Sequence, residues 1–184
     1  MRALVLPVTL ALSATLLAAP ARAGVGGGLG DLVELSAERV TVAEAVAAAK
    51  WHTGAEIDDP AREEQILAAV AEQARRARLD PHVATAVMRD QIEANKFVQR
   101  GLIAQWRRDP GRAPLQEPDL SELRPVLDRI TAELVAELKA TEELRARPGC
   151  FDTLARDTHR VAAGYGFDPL HTTGLVRALP SVCD

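Results

Sequence analysis

The sequence predicts an all-α fold, a single-domain bundle of about six helices. Its 184 residues are 47% hydrophobic but only 3% aromatic, whereas β-sandwiches and barrels are rich in aromatic and β-branched residues. Eleven prolines lie mostly where Ala- and Leu-rich stretches end, as is typical of helix boundaries. The chain is too apolar to be disordered and too charged to be a multi-span membrane protein.

The first three helices follow from apolar periodicity and from the residues at their ends. The first is predicted from about residue 31 to 52, because Gly54 ends it. The second starts near Asp59-Pro60 and continues to about residue 78. The third opens at Asp80-Pro81, an N-cap followed by proline at the first helical position, and continues to about residue 107.

Three prolines, at positions 110, 114 and 118, predict a loop before the fourth helix. That helix starts near Asp119 or Ser121, has Pro125 in its first turn and ends before Pro148-Gly149. A fifth helix is predicted over about residues 151–163, and a sixth from Asp168-Pro169 to Pro180. We expect one domain over residues 31–184, with residues 150–184 as its C-terminal helical region.

Residues 1–23 have the pattern of a secretory signal peptide. A positive Arg2 is followed by an apolar run and by an Ala-Arg-Ala cleavage site at 21–23. The run is short for a membrane span, so an uncleaved anchor is the less favoured alternative. We therefore predict an exported protein, periplasmic or secreted, with no membrane contact after cleavage. Residues 24–30 are glycine-rich and predict a flexible mature N-terminus.

Export also bears on the charge and the cysteines. Cleavage removes two arginines and no acid, so the net charge changes from −4 to −6. An acidic chain without a basic cluster is a poor candidate for nucleic-acid binding.

Cys150 and Cys183 are an even pair in an oxidising compartment, which favours a disulfide; two free buried thiols are the alternative. The disulfide would close a loop of about 34 residues and stabilise the fold by about 3–4 kcal/mol.

Polar side chains fall on helix faces that should be apolar. On the third helix, Gln91, Asn95 and Gln99 project into the apolar arc. A buried amide without a partner costs about 1–3 kcal/mol, so these three bind each other, neighbouring helices or a ligand. The opposite side of this helix, which includes Lys96 and Arg100, is predicted to face solvent.

The first helix repeats this anomaly with two cations. Arg39 and Lys50 are eleven residues apart, which places them on one face with Cα atoms about 16.5 Å apart. Each could simply form an interhelix ion pair. The second and fourth helices, however, add further charged residues at or beside their apolar faces: Asp59, Arg62, Glu63 and Arg124. Cations that converge from three helices indicate an anion site in the bundle core.

Other chemistries find little support in the sequence. The four histidines lack the spacing of zinc ligands, and neither a nucleophile elbow nor a P-loop occurs. We therefore expect no metal and no cofactor. A site of cations and amides suits a reaction that needs positioning and electrostatic stabilisation rather than covalent catalysis.

The ordered spacing of these residues resembles the all-helical chorismate mutases, and within them the exported subclass with a disulfide-linked C-terminal region. The segments RVTVAEAVAAAKW, DDPAREEQ and RDQIEANKFVQ are similar to the three site-bearing segments of that family. The resemblance covers essentially the whole mature chain. It implies a chorismate mutase fold, the Claisen rearrangement of the dianion chorismate to prephenate without a covalent intermediate, and a homodimer whose site lies within one protomer.

The resemblance also assigns roles to the site residues. Arg39, Arg62 and Arg124 would bind the two carboxylates, and Lys50 and Gln99 would donate to the ether oxygen. Asp59 and Glu63 would hold the ring hydroxyl, and Asn95 would orient a carboxylate; Gln65 and Ile66 are left outside the site. Two alternatives stay open: a pericyclic lyase similar to isochorismate pyruvate lyase, and an exported protein that binds a dianion without turnover.

Overall fold

The computed structural model describes residues 28–183, which form seven α-helices and no β-strand. The predicted signal peptide and residues 24–27 lie outside these described residues. Within 28–183 no helix is long and apolar enough to cross a membrane. The helices are α1 (Leu29–Thr53), α2 (Pro60–Ala77), α3 (Pro81–Arg108), α4 (Leu120–Ala140), α5 (Glu142–Arg145), α6 (Cys150–Tyr165) and α7 (Pro169–Arg177), with a 3₁₀ turn at Pro110–Arg112 between α3 and α4.

Aspartates fix the starts of four helices. In each case Oδ1 accepts a hydrogen bond from a backbone N–H two or three residues later, at 2.7–3.0 Å. Such a bond satisfies one of the amide groups that a helix leaves unpaired at its N-terminus. Proline occupies the first helical position of α2, α3 and α7, where no N–H is needed. The four capping residues are Asp59, Asp80, Asp119 and Asp168.

Three boundaries differ from the sequence-based expectation. Helix α7 ends at Arg177, whereas the sequence predicted that it would continue to Pro180. Helix α1 begins at Leu29, inside the segment predicted to be flexible, because Leu29 is only 4% exposed and packs into the core. The predicted fourth helix is divided at Thr141 into α4 and the single turn of α5. Neither proline nor glycine marks this break. Pro125 is the sixth residue of α4 and so lies beyond its first turn.

Helix α1 is the centre of the bundle. It packs against α3, α4, α6 and α7, while α2 packs against α3 and α4. Helix α7 comes especially close to α3 at Gly174, where an added Cβ would lie 2.5 Å from Cγ2 of Val98. Helices α6 and α7 thus cover one side of α1 and α3, and α2 and α4 cover another.

Buried polar contacts fasten the C-terminal region to this bundle. The disulfide between Cys150 and Cys183 is present, as predicted, and joins the start of α6 to the end of the chain. Nε2 of Gln91 donates to Ser36 Oγ (2.8 Å) and to the carbonyl of Ala178 (3.0 Å). Gln91, one of the three inward-facing amides, therefore binds neighbouring elements of the fold, which is one of the alternatives given above for these amides.

Candidate active site

A cavity of about 530 Å³ lies between α1, α2, α3 and α4, a size typical of small-molecule sites. Residues 54–59, which connect α1 to α2 and are called the strap below, form part of its wall through Ile57 and Asp59. The structure brings together in this one cavity all eight residues that the sequence placed in the site: Arg39, Lys50, Asp59, Arg62, Glu63, Asn95, Gln99 and Arg124.

The cavity wall carries an excess of positive charge, although the whole chain has a net charge of −4. Five cations face three carboxylates, which leaves an excess of two positive charges. A cleft with one sign of charge attracts ligands of the opposite sign, so this wall suits a small dianion. The cations are Arg39, Lys50, Arg62, Lys96 and Arg124, and the carboxylates are Asp59, Glu63 and Asp128.

Arg39 is the most deeply buried of these cations, at 5% exposure. Its Nη1 donates to Oγ1 of Thr131 at 3.3 Å, while its buried Nε has no hydrogen-bond partner in the described part of the chain. Burial lowers the pKa of Arg39 to about 10, against the opposing effect of Asp128, so the guanidinium remains charged at neutral pH. A buried cation with an open donor is a strong indication of an anionic ligand.

Lys50 lies on the same face of α1 and is oriented by the strap. Its Nζ donates to the carbonyl of Ile57 at 2.9 Å, which leaves two of its three protons for other acceptors. Burial lowers the pKa of Lys50, while the carboxylates of Asp59, Asp58 and Glu63 act in the opposite direction. The ammonium is therefore partly desolvated and held in place by a backbone carbonyl.

Asn95 connects Arg39 to Gln99. Its Nδ2 donates to the backbone carbonyl of Arg39 at 3.1 Å, and its Oδ1 accepts from Nε2 of Gln99 at 2.6 Å. Because both polar groups of Asn95 are engaged, it orients the Gln99 amide, which differs from the carboxylate contact that the resemblance implies. Nε2 of Gln99 keeps a second proton, and Oε1 is buried without a partner among the described residues.

Two of the other cations of the wall, Arg62 and Arg124, are accessible to solvent. Arg62 is half-exposed, and its Nη2 is 4.0 Å from Oδ1 of Asp128. Arg124 is exposed on α4. Asp59 also lines the cavity, and its Oδ1 already accepts the backbone N–H of Arg62 as the cap of α2. The cavity wall thus has one buried guanidinium group and two accessible ones.

Several residues of the wall were not foreseen. Lys96, predicted to face solvent, is 8% exposed and lines the cavity because α2 and the strap cover that side of α3. Gln65 and Ile66, which were left outside the site, also line it. So does Gln73, whose Oε1 is buried without a partner within residues 28–183. The run of acids in DDPAREE is the one sequence signal that could have indicated a cationic partner on α3.

Comparison with known proteins identifies the family. Residues 30–100 match the model of type II chorismate mutase. Over 152 residues the chain is 40% identical to the secreted chorismate mutase of Mycolicibacterium smegmatis, covering 83% of this chain and 84% of that protein. The chain belongs to the chorismate mutase family. Membership makes it an isomerase, as the resemblance implied.

Further relatives agree with this assignment. The secreted chorismate mutase of Mycobacterium tuberculosis is 34% identical over 163 residues, which cover 89% of this chain and 82% of that one. The crystal structure of the chorismate mutase from Burkholderia thailandensis superposes with a TM-score of 0.81 at 36% identity, over 84% of this chain and 98% of that one. The names of both mycobacterial relatives support the export predicted from the N-terminal sequence.

Proposed function

We propose that this chorismate mutase binds chorismate in the cavity between α1 and α4 and rearranges it to prephenate in one concerted step. The observation that carries the proposal is the excess of two positive charges on the cavity wall, combined with a buried guanidinium N–H that has no partner among residues 28–183. Chorismate is a dianion with two carboxylates, an ether oxygen and a ring hydroxyl, so its charge complements that of the wall.

The arginines of the cavity wall differ in their exposure. Arg39 is buried, whereas Arg62 and Arg124 are accessible to solvent. In our proposal, one carboxylate completes the hydrogen bonds of Arg39 and the other binds Arg62 and Arg124. Binding both carboxylates holds the substrate in the chair-like conformer that the rearrangement requires. This orientation lowers the activation barrier.

Lys50 and Gln99 would stabilise the transition state. As the C–O bond breaks and the new C–C bond forms, negative charge develops on the ether oxygen. The free protons of Lys50 Nζ and Gln99 Nε2 are donors that can meet this charge, and both side chains are already oriented by Ile57 and Asn95. Removing one such preoriented donor typically lowers a rate by about 10²–10³-fold. No proton is transferred, so no general acid or base is needed.

The ring hydroxyl would be held by Asp59 and Glu63. One oxygen of Asp59 is occupied by the cap of α2, so its other oxygen is the available acceptor. Glu63 is 26% exposed and is fixed by two contacts with Nζ of Lys96. These two carboxylates also reduce the excess of positive charge beside Lys50, which leaves the cavity matched to a dianion.

The decisive experiment is incubation of the purified mature chain with chorismate and, separately, with isochorismate, followed by identification of the products. Prephenate supports the proposal. Release of pyruvate from isochorismate would instead indicate the lyase, and chorismate recovered unchanged would indicate a binding protein. Lys50→Ala should lower kcat by about 10²–10³-fold with an unchanged helical circular dichroism spectrum. The matched control is Lys139→Ala, which removes a partly exposed lysine that pairs with Glu142 outside the cavity wall; turnover should be unchanged.

We also propose that the mature protein is a homodimer, because the family resemblance implies one. The resemblance also implies a site within one protomer, and the eight predicted site residues do converge in one cavity of one protomer. Sedimentation equilibrium should therefore give twice the mass of the chain. Specific activity should stay constant when dilution separates the protomers.

The export signal is a further part of the proposal. We infer that residues 1–23 are removed on export and that the mature chain starts at Gly24. Mass spectrometry of the exported protein tests this directly. A mass that includes residues 1–23 would instead support the uncleaved anchor.

A further inference from the structure

The Nζ of Lys96 lies where α2, α3 and the strap meet. It is 3.0 and 3.2 Å from the two carboxylate oxygens of Glu63 on α2 and 3.3 Å from Oδ1 of Asp58 in the strap. Oε1 of Glu93, on α3 itself, is 2.6 Å away. The lysine side chain is 11% exposed. One nearly buried ammonium therefore joins three elements of the cavity wall.

This ammonium is fully engaged with protein groups. An ammonium has three protons, and three carboxylates surround it. Burial alone would lower the pKa of Lys96, but the carboxylates of Glu93, Glu63 and Asp58 raise it above its ordinary value. Lys96 is therefore charged and paired, and it is not an open anion receptor like Arg39. Lys96 can therefore affect a bound ligand only by positioning the carboxylates that it contacts.

Two of those carboxylates, on Glu63 and Asp58, are connected to the proposed site residues. Glu63 lines the cavity as a proposed acceptor for the ring hydroxyl. Asp58 directly follows Ile57, whose carbonyl accepts a hydrogen bond from Nζ of Lys50. The Asp58 carboxylate also accepts from Nη2 of Arg100, at 2.6 and 2.7 Å. Fixing Asp58 therefore fixes the carbonyl that orients Lys50.

We propose that Lys96 is a positioning residue for the rearrangement: it ties Glu63 and the strap to α3 and so holds Glu63 and Lys50 in their productive places. This inference rests on the proposed function. It differs from a purely structural ion cluster, which would affect stability but leave the kinetics of the folded enzyme unchanged. Misplacing a reacting or binding group by about 1 Å can cost about 100-fold in rate.

The test compares Lys96→Met with Lys96→Arg, using steady-state kinetics with chorismate and thermal unfolding. Lys96→Met removes the charge and should lower kcat/KM by about 100-fold, with a reduced kcat and a raised KM, because both Lys50 and Glu63 lose their support. Lys96→Arg keeps the charge and should recover most of this loss. Glu93→Gln is the matched control. It removes a carboxylate that touches the same ammonium but belongs to α3 alone, so kcat/KM should stay within about twofold of the parent.

Two results would overturn the inference. One is a Lys96→Met variant with parental kcat and KM and only a lower melting temperature. The other is a Lys96→Arg variant no better than Lys96→Met. If Lys96→Met does not fold, Asp58→Asn and Arg100→Met decide together. Both variants lose the ion pair between Asp58 and Arg100, but only Asp58→Asn also weakens the contact with Lys96. Asp58→Asn should therefore lower kcat further than Arg100→Met does, whereas equal kcat values overturn the inference. Failure of the parent enzyme to convert chorismate would refute the proposed function instead.

Discussion

Two buried arginines show how differently two regions of this molecule use the same side chain. Arg39, in the cavity, and Arg145, in the C-terminal region, are 5% and 1% exposed. Arg145 donates from Nε to the carbonyl of Leu138 (3.3 Å) and from Nη1 to the carbonyl of Val182 (3.1 Å). Arg39 has one contact with a hydroxyl, and its Nε has no acceptor within residues 28–183.

The difference separates a structural charge from a receptor charge. Backbone carbonyls compensate the burial of Arg145, so it fastens the chain end before any ligand is present. Arg39 bears a desolvation cost that the fold leaves largely uncompensated, and burial accordingly lowers its pKa. An anionic ligand would supply the missing acceptor. The buried Arg39 therefore lowers the stability of the ligand-free protein and provides a binding group for an anion, a combination that is common in active sites.

The sharpest test of this comparison is Arg39→Met beside Arg145→Met. Arg39→Met should lower kcat/KM by about 10³-fold, because a ligand carboxylate loses a desolvated charged partner. The same variant should unfold at a higher temperature, with a gain of roughly 1–3 kcal/mol. The depressed pKa means that the cost of protonation is present at every pH below about 10, so the gain should be seen throughout the neutral range. Thermal unfolding and steady-state kinetics measure both effects.

Arg145→Met should behave in the opposite way. Leaving two buried carbonyls without their donor should lower the free energy of unfolding by about 2–5 kcal/mol, while the folded fraction keeps its kcat. A stability loss in Arg39→Met similar to that in Arg145→Met would contradict the distinction between the two arginines.

The difference between local signals and tertiary packing explains which parts of the fold the sequence could predict. Caps and periodicity are local, so the helices, the aspartate caps and the polar residues on apolar helix faces could be inferred from residue types and spacing. The choice of the eight site residues among those polar residues also rested on the resemblance to the family. The break at Thr141 could not be inferred, because that residue is buried by tertiary packing and carries no proline or glycine signal. Likewise, Leu29 is helical because it packs into the core, although glycines surround it.

Lys96 shows the limit most clearly. A helical projection gives the angle of a side chain about its own axis but not which neighbouring element covers that angle. Lys96 lies away from the apolar arc of α3, and solvent was the natural expectation. The strap and α2 fill that side and supply Asp58 and Glu63 as partners. Gln65 and Ile66 were excluded for a related reason, since hydrogen-bonding capacity does not decide which residues shape a wall.

A smaller effect on turnover should follow from changing the charge at Gln99. The parent enzyme should be nearly independent of pH between about 5 and 8, because the proposed donor Nε2 is neutral. In Gln99→Glu the new carboxylate faces Oδ1 of Asn95, whose own N–H is committed to Arg39. It can donate only when protonated, so activity should be highest in acid and about 100-fold lower than the parent at pH 8. A pH–rate profile for both proteins measures this.

Two results would contradict the role of Gln99 as a neutral donor. A parent rate that falls steeply above pH 6 would show that a titrating group supplies the donor instead. A Gln99→Glu variant as active at pH 8 as in acid would show that no proton is needed at this position.

The smallest effect on turnover should come from removing the disulfide in the C-terminal region. Cys150→Ser/Cys183→Ser should lower the free energy of unfolding by about 3–4 kcal/mol, since the cross-link no longer restricts the unfolded chain. The kcat of folded molecules should change by less than twofold, because the described lining of the cavity ends at Thr131 and includes nothing from α6 or α7. Urea unfolding and kinetics below the transition measure the two quantities. Helix α7 does pack on α3, and Gln91 does bind the carbonyl of Ala178, so a large fall in kcat without unfolding would show that the C-terminal region supports the cavity through α3.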